Sequence, residues 1–406
     1  MKTRPFEIPE ELVWGAWHAV RVNQGSAGVD AVSIEEYEKD LINNLHKLWA
    51  RMSSGSYMPP SVLLVEIPKK GGGKRPLGIP TVSDRIAQMV VKLALEPEID
   101  KVFYADSYGY RPLKSALDAL KVCRERCWKY DWVLDLDIKG FFDNIPHGLL
   151  LKAVERHTQC KWHLLYIKRW LSAPLQNRAG IQTERSKGTP QGAVISPLLA
   201  NLFLHYCMDS WLKIKYPQCP FERYADDVVI HCKTEVEAQE LKETLGARLE
   251  ECGLQMHPEK TKIVYCKDDH RKGDYPNQKF DFLGYGFQPR GAKNKQGEMF
   301  VGFLPAISNK SAKSIREKIK GSKMLQRVNS ELPAIARELN PKLQGWINYY
   351  GRYYRSKLDH TLTALTFRLA SWAQRKYKKL HRQFRQAFAW VGKVQKSHPR
   401  LFVCWK

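Results

Sequence analysis

At 406 residues, with 43% apolar and 11% aromatic side chains, the chain is long and apolar enough for two or three cored domains, which excludes an intrinsically disordered protein. Lys and Arg outnumber Asp and Glu by 66 to 42, a formal charge of +24, so a polyanion is the expected partner. No run of about 18 apolar residues occurs, the N-terminus has no apolar signal core, and the nine cysteines form no C-x-x-C pairs. A membrane-spanning, exported, disulfide-built or zinc-ribbon protein is therefore not expected.

In chain order, Asn23 to Asp30 is a Gly-rich loop, and Ser33 with Glu36 forms a capping box that predicts a helix with a buried stripe of Tyr37, Leu41, Leu45, Leu48 and Met52. Val62 to Ile67 reads as a strand. It is followed by the loop Pro68-Lys69-Lys70-Gly71-Gly72-Gly73-Lys74-Arg75-Pro76 and a return strand, Leu77 to Ile79, giving a hairpin with a glycine tip and basic shoulders. Trp132 to Ile138 is a largely apolar strand with Asp137 near its end. After Gly188-Thr189-Pro190-Gln191-Gly192, Ser196 and Pro197 announce a long helix reaching about Lys215. Tyr224-Ala225-Asp226-Asp227 has the pattern of a tight hairpin with two acids at its turn, and a helix from Val236 to Cys252 and a strand from Ile263 to Cys266 follow. Pro289 to Gly297 is the expected hinge before a helical region that starts near Pro305.

The positive charge is concentrated in that last region. From Ile307 to Lys406 there are 23 basic and 4 acidic residues, which leaves only about +5 for the rest of the chain. Such a surplus is either a solvated face or a phosphate-binding surface. Trp346, Tyr349, Tyr350, Tyr353 and Tyr354, interleaved among the cations, favour the second reading, although several of these rings must also be core. Candidate contacts are Arg316, Lys320, Lys323, Arg327, Arg375, Lys376, Lys378 and Lys379.

Two adjacent acids at a hairpin tip and a third on a strand end repel one another unless cations neutralise them. Two Mg²⁺ ions about 4 Å apart are the usual solution, in an arrangement that activates a primer 3′-oxygen and stabilises a pyrophosphate leaving group. Asp137, Asp226 and Asp227 are the expected ligands, with the backbone carbonyl of Ile138 as an additional oxygen.

The blocks Leu136 to Ile145, Gly188 to Gly192, Tyr224 to Asp227 and Phe282-Leu283-Gly284-Tyr285 resemble the successive motifs of a reverse transcriptase. With the Asn23 to Asp30 loop, Val65 to Lys69 and Ser107 to Pro112, the chain looks like a member of the bacterial group II intron reverse transcriptase and maturase family. The resemblance implies an α+β right-hand polymerase fold followed by a helical thumb. The implied parts are an N-terminal extension and fingers over 1–130, a palm over 131–290 with a fingers contribution around 150–190, a thumb and maturase RNA-binding domain over 305–386, and a short basic tail over 387–406 that would be a reduced DNA-binding segment.

By position, Phe142 matches the residue that blocks a ribose 2′-hydroxyl, against the competing reading of a plain core phenylalanine. Gln191 matches the residue beside the incoming nucleotide, and Lys69 and Arg75 match the basic fingers residues that hold its triphosphate, with Lys70 or Lys74 as substitutes for Lys69. Lys260 matches a lysine that protonates pyrophosphate, against a solvated lysine. The implied partners are an RNA template and RNA/DNA hybrid, deoxynucleotides, a group II intron RNA and a DNA target, in the bacterial cytoplasm or on its nucleoid. No membrane is implied, and the expected form of the family is one lacking the endonuclease domain. Two alternatives stay open: a free-standing reverse transcriptase in defence or repair, and a splicing factor that binds RNA without polymerising.

Overall fold

A computed structural model describes residues 5–68, 73–294 and 296–405, so Lys69 and Lys70 lie outside the described residues. The chain divides into two compact units, one of residues 1–119 with 134–262, the other of residues 120–133 with 263–406. No helix among the described residues is long and apolar enough to cross a membrane.

In the first unit α1 (Glu10–Asn23) buries Val13, Ala16, Trp17 and Val20, a stripe at helical spacing. Of the predicted capping box the Ser33 half forms, its Oγ accepting the Glu36 N–H at 3.1 Å, while the Glu36 carboxylate pairs with Lys39 at 2.6 Å. The helix that Ser33 opens is nevertheless two, α2 (Ile34–Glu38) and α3 (Leu41–Ser53). Asp40 leaves helical geometry at φ −127° and its carboxylate accepts the Asn43 amide at 2.8 Å, a local bond that competes with continuing the helix. β1 (Val62–Pro68) and β2 (Lys74–Ile79) are the predicted hairpin, with Leu63 opposite Ile79 and Pro68 opposite Lys74. α4 (Val82–Asp100), capped by Thr81 Oγ1, is buried on most of its faces. α5 (Ala116–Cys127) and β3 (Trp132–Leu136) follow, with residues 120–133 belonging to the second unit.

Next come α6 (Phe141–Asn144), α7 (His147–Glu155) and α8 (Lys161–Ser172), then the short strands β4 (Leu175–Gln176) and β5 (Gln182–Thr183), which extend the β1–β2 sheet in the order β2-β1-β4-β5. The predicted helix from Ser196 is α9 (Ser196–Leu204) and α10 (Ser210–Lys215), joined by a π turn at His205–Asp209 that wraps one residue more per turn. β6 (Phe221–Tyr224), β7 (Asp227–Cys232) and β3 lie side by side in that order, and α11 (Glu235–Glu251) closes the unit.

The second unit takes in β8 (Lys262–Tyr265), β9 (Phe280–Phe282), β10 (Tyr285–Lys293) and β11 (Met299–Ile307). Here the expected hinge over Pro289 to Gly297 is corrected. β10 runs through Pro289 and pairs with β11 along its length, from Tyr285 opposite Ile307 to Lys293 opposite Met299. β9 pairs only as far as Phe287, so one edge of β10 is open at Pro289, where a missing N–H is tolerated.

The helical region is α12 (Asn309–Lys320), α13 (Lys323–Gln326), α14 (Leu332–Tyr350), α15 (Arg355–Lys376) and α16 (Phe384–Ser397), around a core that includes Ile315, Leu339, Leu358, Leu365 and Trp372. The expected separate tail from residue 387 is also corrected. Ala387, Val391, Phe402 and Trp405 belong to this core, and Asn340 binds both the Leu401 carbonyl and the Val403 N–H. Apolar spacing in the tail outweighs its charge in deciding where it packs.

Candidate active site

Asp137 follows β3 and is fixed by the segment Gln255 to Thr261. Its carbonyl accepts the His257 N–H at 2.8 Å, and its N–H and carbonyl are each 3.3 Å from Thr261 Oγ1. Ile138 pairs with Met256 in a bridge whose hydrogen bonds run from Lys139 to Gln255 and from His257 to Asp137. In that antiparallel pattern the Ile138 carbonyl turns away from Met256, which leaves it able to serve as an oxygen donor. Lys260 Nζ lies 3.3 Å from both carboxylate oxygens of Asp137.

The hairpin β6–β7 closes on Tyr224 opposite Asp227, so Ala225 and Asp226 make a two-residue turn with Ala225 left-handed at φ 57°. Asp226 therefore occupies the turn, while Asp227 begins β7 and is exposed. Burial pushes the Asp226 carboxyl above its ordinary value and the charge of Asp137 adds to this, whereas Arg75 and Lys260 pull it back. The two acids thus share one electrostatic site with two cations.

That turn rests on a buried scaffold that the sequence reading did not single out. Arg223, fully buried, donates to both carboxylate oxygens of Asp209, to Asn201 Oδ1 at 2.8 Å and to the Ala225 carbonyl at 3.3 Å. Asp209 ends the π turn and is itself fully buried. Asn201 in turn donates to the Gly109 carbonyl at 2.6 Å, and Tyr108 N–H to the Arg223 carbonyl at 2.8 Å. The block Ser107 to Pro112 therefore lies directly beneath the turn, and Tyr110 sits 6.4 Å from Tyr224, ring to ring. A basic residue beside a two-acid hairpin was visible in the sequence, but its distant acid was not.

The fingers hairpin meets the Gly188 to Gly192 loop. Arg75 Nε donates to Gln191 Oε1 at 2.7 Å, and the Gln191 amide lies 3.4 Å from Asp143 Oδ1. Gly78 N–H bonds the Gln191 carbonyl at 2.8 Å, and a Cβ on Gly192 would lie 2.7 Å from the Gly78 carbonyl, so that contact requires glycine. Phe142, 8% exposed, lies on α6 with its carbonyl accepting the Thr189 N–H at 2.8 Å. Gly188, at φ 80°, packs against the Phe142 and Asp143 carbonyls. Arg75, Phe142 and Gln191, far apart in sequence, are thus brought together with Asp143, which the sequence reading missed. Lys74 pairs with Glu66 at 2.5 Å on the exposed hairpin.

In the helical unit Arg316, Lys320, Lys323, Arg327, Arg375, Lys378 and Lys379 are exposed. Lys323 and Arg327 line a cavity of about 760 Å³ with Lys318 and Lys342. Lys376, expected on the nucleic-acid surface, is instead drawn inward. Its ammonium bonds Glu331 at 2.5 Å and the Ser330 carbonyl at 2.8 Å, and sits 5.3 Å from the Trp372 ring. Arg375 is also tied back, to the Leu325 carbonyl at 2.6 Å. Of the interleaved rings, Tyr349 and Tyr350 pack on Tyr285, with Tyr349 OH donating to the Leu283 carbonyl at 2.8 Å.

Residues 67–287 match the family described as reverse transcriptase (RNA-dependent DNA polymerase), and residues 312–389 match the group II intron, maturase-specific domain. Protein YkfC of Escherichia coli is 30% identical over 314 residues, 68% of this chain and 78% of YkfC. The group II intron-encoded protein LtrA of Lactococcus lactis is 32% identical over 204 residues, 49% of this chain and 33% of LtrA. The putative COX1/OXI3 intron 1 protein of Saccharomyces cerevisiae is 31% identical over 169 residues, 42% of this chain and 20% of that protein. The chain thus spans most of YkfC but a third or less of these two intron proteins. The motif order read in the sequence and these matches agree: the chain belongs to the group II intron reverse transcriptase and maturase family, RNA-directed DNA polymerases with a right-hand fold and a helical C-terminal region.

Proposed function

We propose that the chain extends a primer on an RNA template with deoxynucleotides, using Asp137, Asp226 and Asp227 as carboxylate ligands for two Mg²⁺ ions. The observation that carries this reading is geometric: a two-residue turn presents Asp226, and Asp137, whose charge acts on it, meets the Lys260 ammonium at 3.3 Å. The donors suit a hard cation: carboxylate oxygens and the outward carbonyl of Ile138, with an ammonium standing against Asp137 as a countercharge. When bound, the ions supply polarisation of the α-phosphate and neutralise charge on the leaving group.

The protein's own residues do the rest. Arg75 reaches the triphosphate from β2, and Gln191, held at its side chain by Arg75 and at its carbonyl by Gly78, fixes the nucleotide's position. The Phe142 ring bars a 2′-hydroxyl and so selects deoxynucleotides. Lys260, 59% exposed at its side chain, is free to swing from Asp137 to the leaving pyrophosphate and donate a proton. The exposed cations of the helical unit hold structured RNA, a group II intron RNA by the maturase match, and DNA is the target into which the copy is made.

Primer extension on an RNA template with Mg²⁺ and deoxynucleotides tests this, comparing the native chain with Asp226→Ala. Extension by the native chain alone, with equal RNA affinity for both, is the expected result. Equal extension by Asp226→Ala, or loss of its RNA binding, removes the assignment.

A further inference from the structure

A second aromatic and basic cluster lies within the helical unit and shares no residue with the polymerase site. A cavity of about 420 Å³ is lined by Lys121, Arg124 and Arg352, by the rings of Tyr353 and Tyr354, and by an apolar floor that includes Leu304 and Pro305. That volume falls within the range of ligand sites, about 300–1,000 Å³. Glu125 is the one acid lining it among the described residues, so the cavity is net positive.

The ring of Tyr354 is presented rather than packed away, whereas that of Tyr353 also meets the Tyr285 ring edge-on at 5.7 Å. The Arg124 guanidinium lies 4.4 Å from the Trp128 ring and 5.3 Å from that of Tyr353, and Trp128 is 46% exposed. Tyr354 is 37% exposed, with Arg290 5.4 Å from its ring centre and its hydroxyl bonded to the Gly291 carbonyl at 3.0 Å. Tyr354 also holds a left-handed backbone, φ 47° and ψ 57°, where glycine or asparagine would sit with less strain. A bulky ring kept at such a position points to a use for the ring itself.

We infer that this cavity seats an unpaired nucleotide of a single-stranded nucleic acid, its base against the tyrosines and its phosphates on Lys121, Arg124 and Arg352. Rings interleaved with cations match a base joined to phosphate, whereas an acidic peptide would use the cations and leave the rings idle. The inference rests on the reverse transcriptase reading for which strand is bound, and not for the binding itself.

The test is fluorescence anisotropy of the full chain with labelled 12-mers of uridine RNA and thymidine DNA, for the native protein, Tyr354→Gly and Arg124→Met. Glycine suits the left-handed backbone, so Tyr354→Gly removes the ring while relieving strain. It is expected to weaken binding by about 5- to 100-fold with an unchanged melting temperature. Arg124→Met is expected to reduce the slope of log affinity against log salt by about 0.7. Tighter binding of the RNA 12-mer identifies RNA as the strand, and equal binding extends the site to DNA. Should Tyr354→Gly not fold, Tyr354→Asn, which also suits the left-handed backbone, takes its place in the same titration with the same expected direction.

Native affinity and slope in both variants overturn the inference, as does displacement of the 12-mers by an oligoglutamate peptide at equal concentration. Primer extension on a preannealed duplex by the same preparations reports separately on the polymerase. If the native chain fails to extend but Tyr354→Gly loses the 12-mers, the polymerase reading falls and this site stands.

Discussion

Gly109→Ala should disable polymerisation from beneath the site without touching a ligand. A Cβ built on Gly109 would lie 2.9 Å from the Tyr224 carbonyl carbon, 3.2 Å from its Cα, and closer still to the Ala225 amide nitrogen, where ordinary contact begins at 3.4 Å. All three atoms are backbone, so no rotamer relieves the overlap. Gly109 is not among the positive-φ glycines, so alanine itself fits the local conformation and the cost falls on the neighbour. The turn carrying Asp226 is also tied to the buried Arg223–Asp209 pair through the Ala225 carbonyl, and it must retreat by about 1 Å to reach ordinary contact. A displacement of that size at a catalytic group costs about 100-fold, or about 2.7 kcal/mol of barrier. Single-turnover extension on a preformed primer–template, with nucleotide titrated, should show the loss in the maximal rate while RNA affinity stays native. Gly148→Ala is the control, since nothing lies within 4 Å of its Cβ and it sits in α7. A Gly109→Ala enzyme with the native rate would mean that the Ser107 to Pro112 block does not position the turn.

Phe142→Ala should raise ribonucleotide use relative to deoxynucleotide use, whereas Phe142→Leu, which keeps most of the bulk, should not. An unchanged ratio in the alanine variant leaves Phe142 as core alone. Changing Lys323, Arg327, Lys378 and Lys379 together to Glu should flatten the salt dependence of RNA binding by about 3 in log–log slope, because each lost phosphate contact removes 0.7–0.9. Lys376→Gln should instead lower the melting temperature and leave that slope alone, as its ammonium already serves Glu331 and Ser330. A slope change in Lys376→Gln would return it to the RNA surface.

Asp84 gives a pH dependence. Burial raises its carboxyl from 3.8 to about 6, despite bonds from Tyr57, Trp170 and Gln88. The folded state then holds the proton more tightly than the unfolded state, so this residue's contribution to stability is present below about pH 4. It is lost as pH rises through 6, by about 3 kcal/mol. Urea denaturation from pH 4 to 7 should show a flatter profile for Asp84→Asn, and parallel profiles would count against the burial argument.

The sequence by itself determined whatever depends on local pattern. The hairpin with two acids at its tip, the Ser33 cap, the basic fingers hairpin and the ordered motifs that identify the family are all written in short stretches, because turn chemistry and side-chain period act over a few residues. Charge was legible as an amount, but not as a place. Lys376 and the tail from residue 387 carry the same cations as their neighbours, and only packing shows that Lys376 faces Glu331 and that Phe402 and Trp405 lie in the core. The hinge expected at Pro289 became a strand because its partner, β11, supplied hydrogen bonds that local propensity could not weigh.

Tertiary structure alone decided how the catalytic turn is held. Arg223, Asp209, Asn201 and Gly109 come from four segments, and their pairing depends on a π turn that no residue pattern announced. It likewise set Arg75 against Gln191 across more than a hundred residues, and placed Tyr353 both against Tyr285 and on the wall of a cavity that Tyr354 also lines. Long-range contacts are fixed by how the faces of whole elements pack, and that information is spread over the chain rather than held in any one motif.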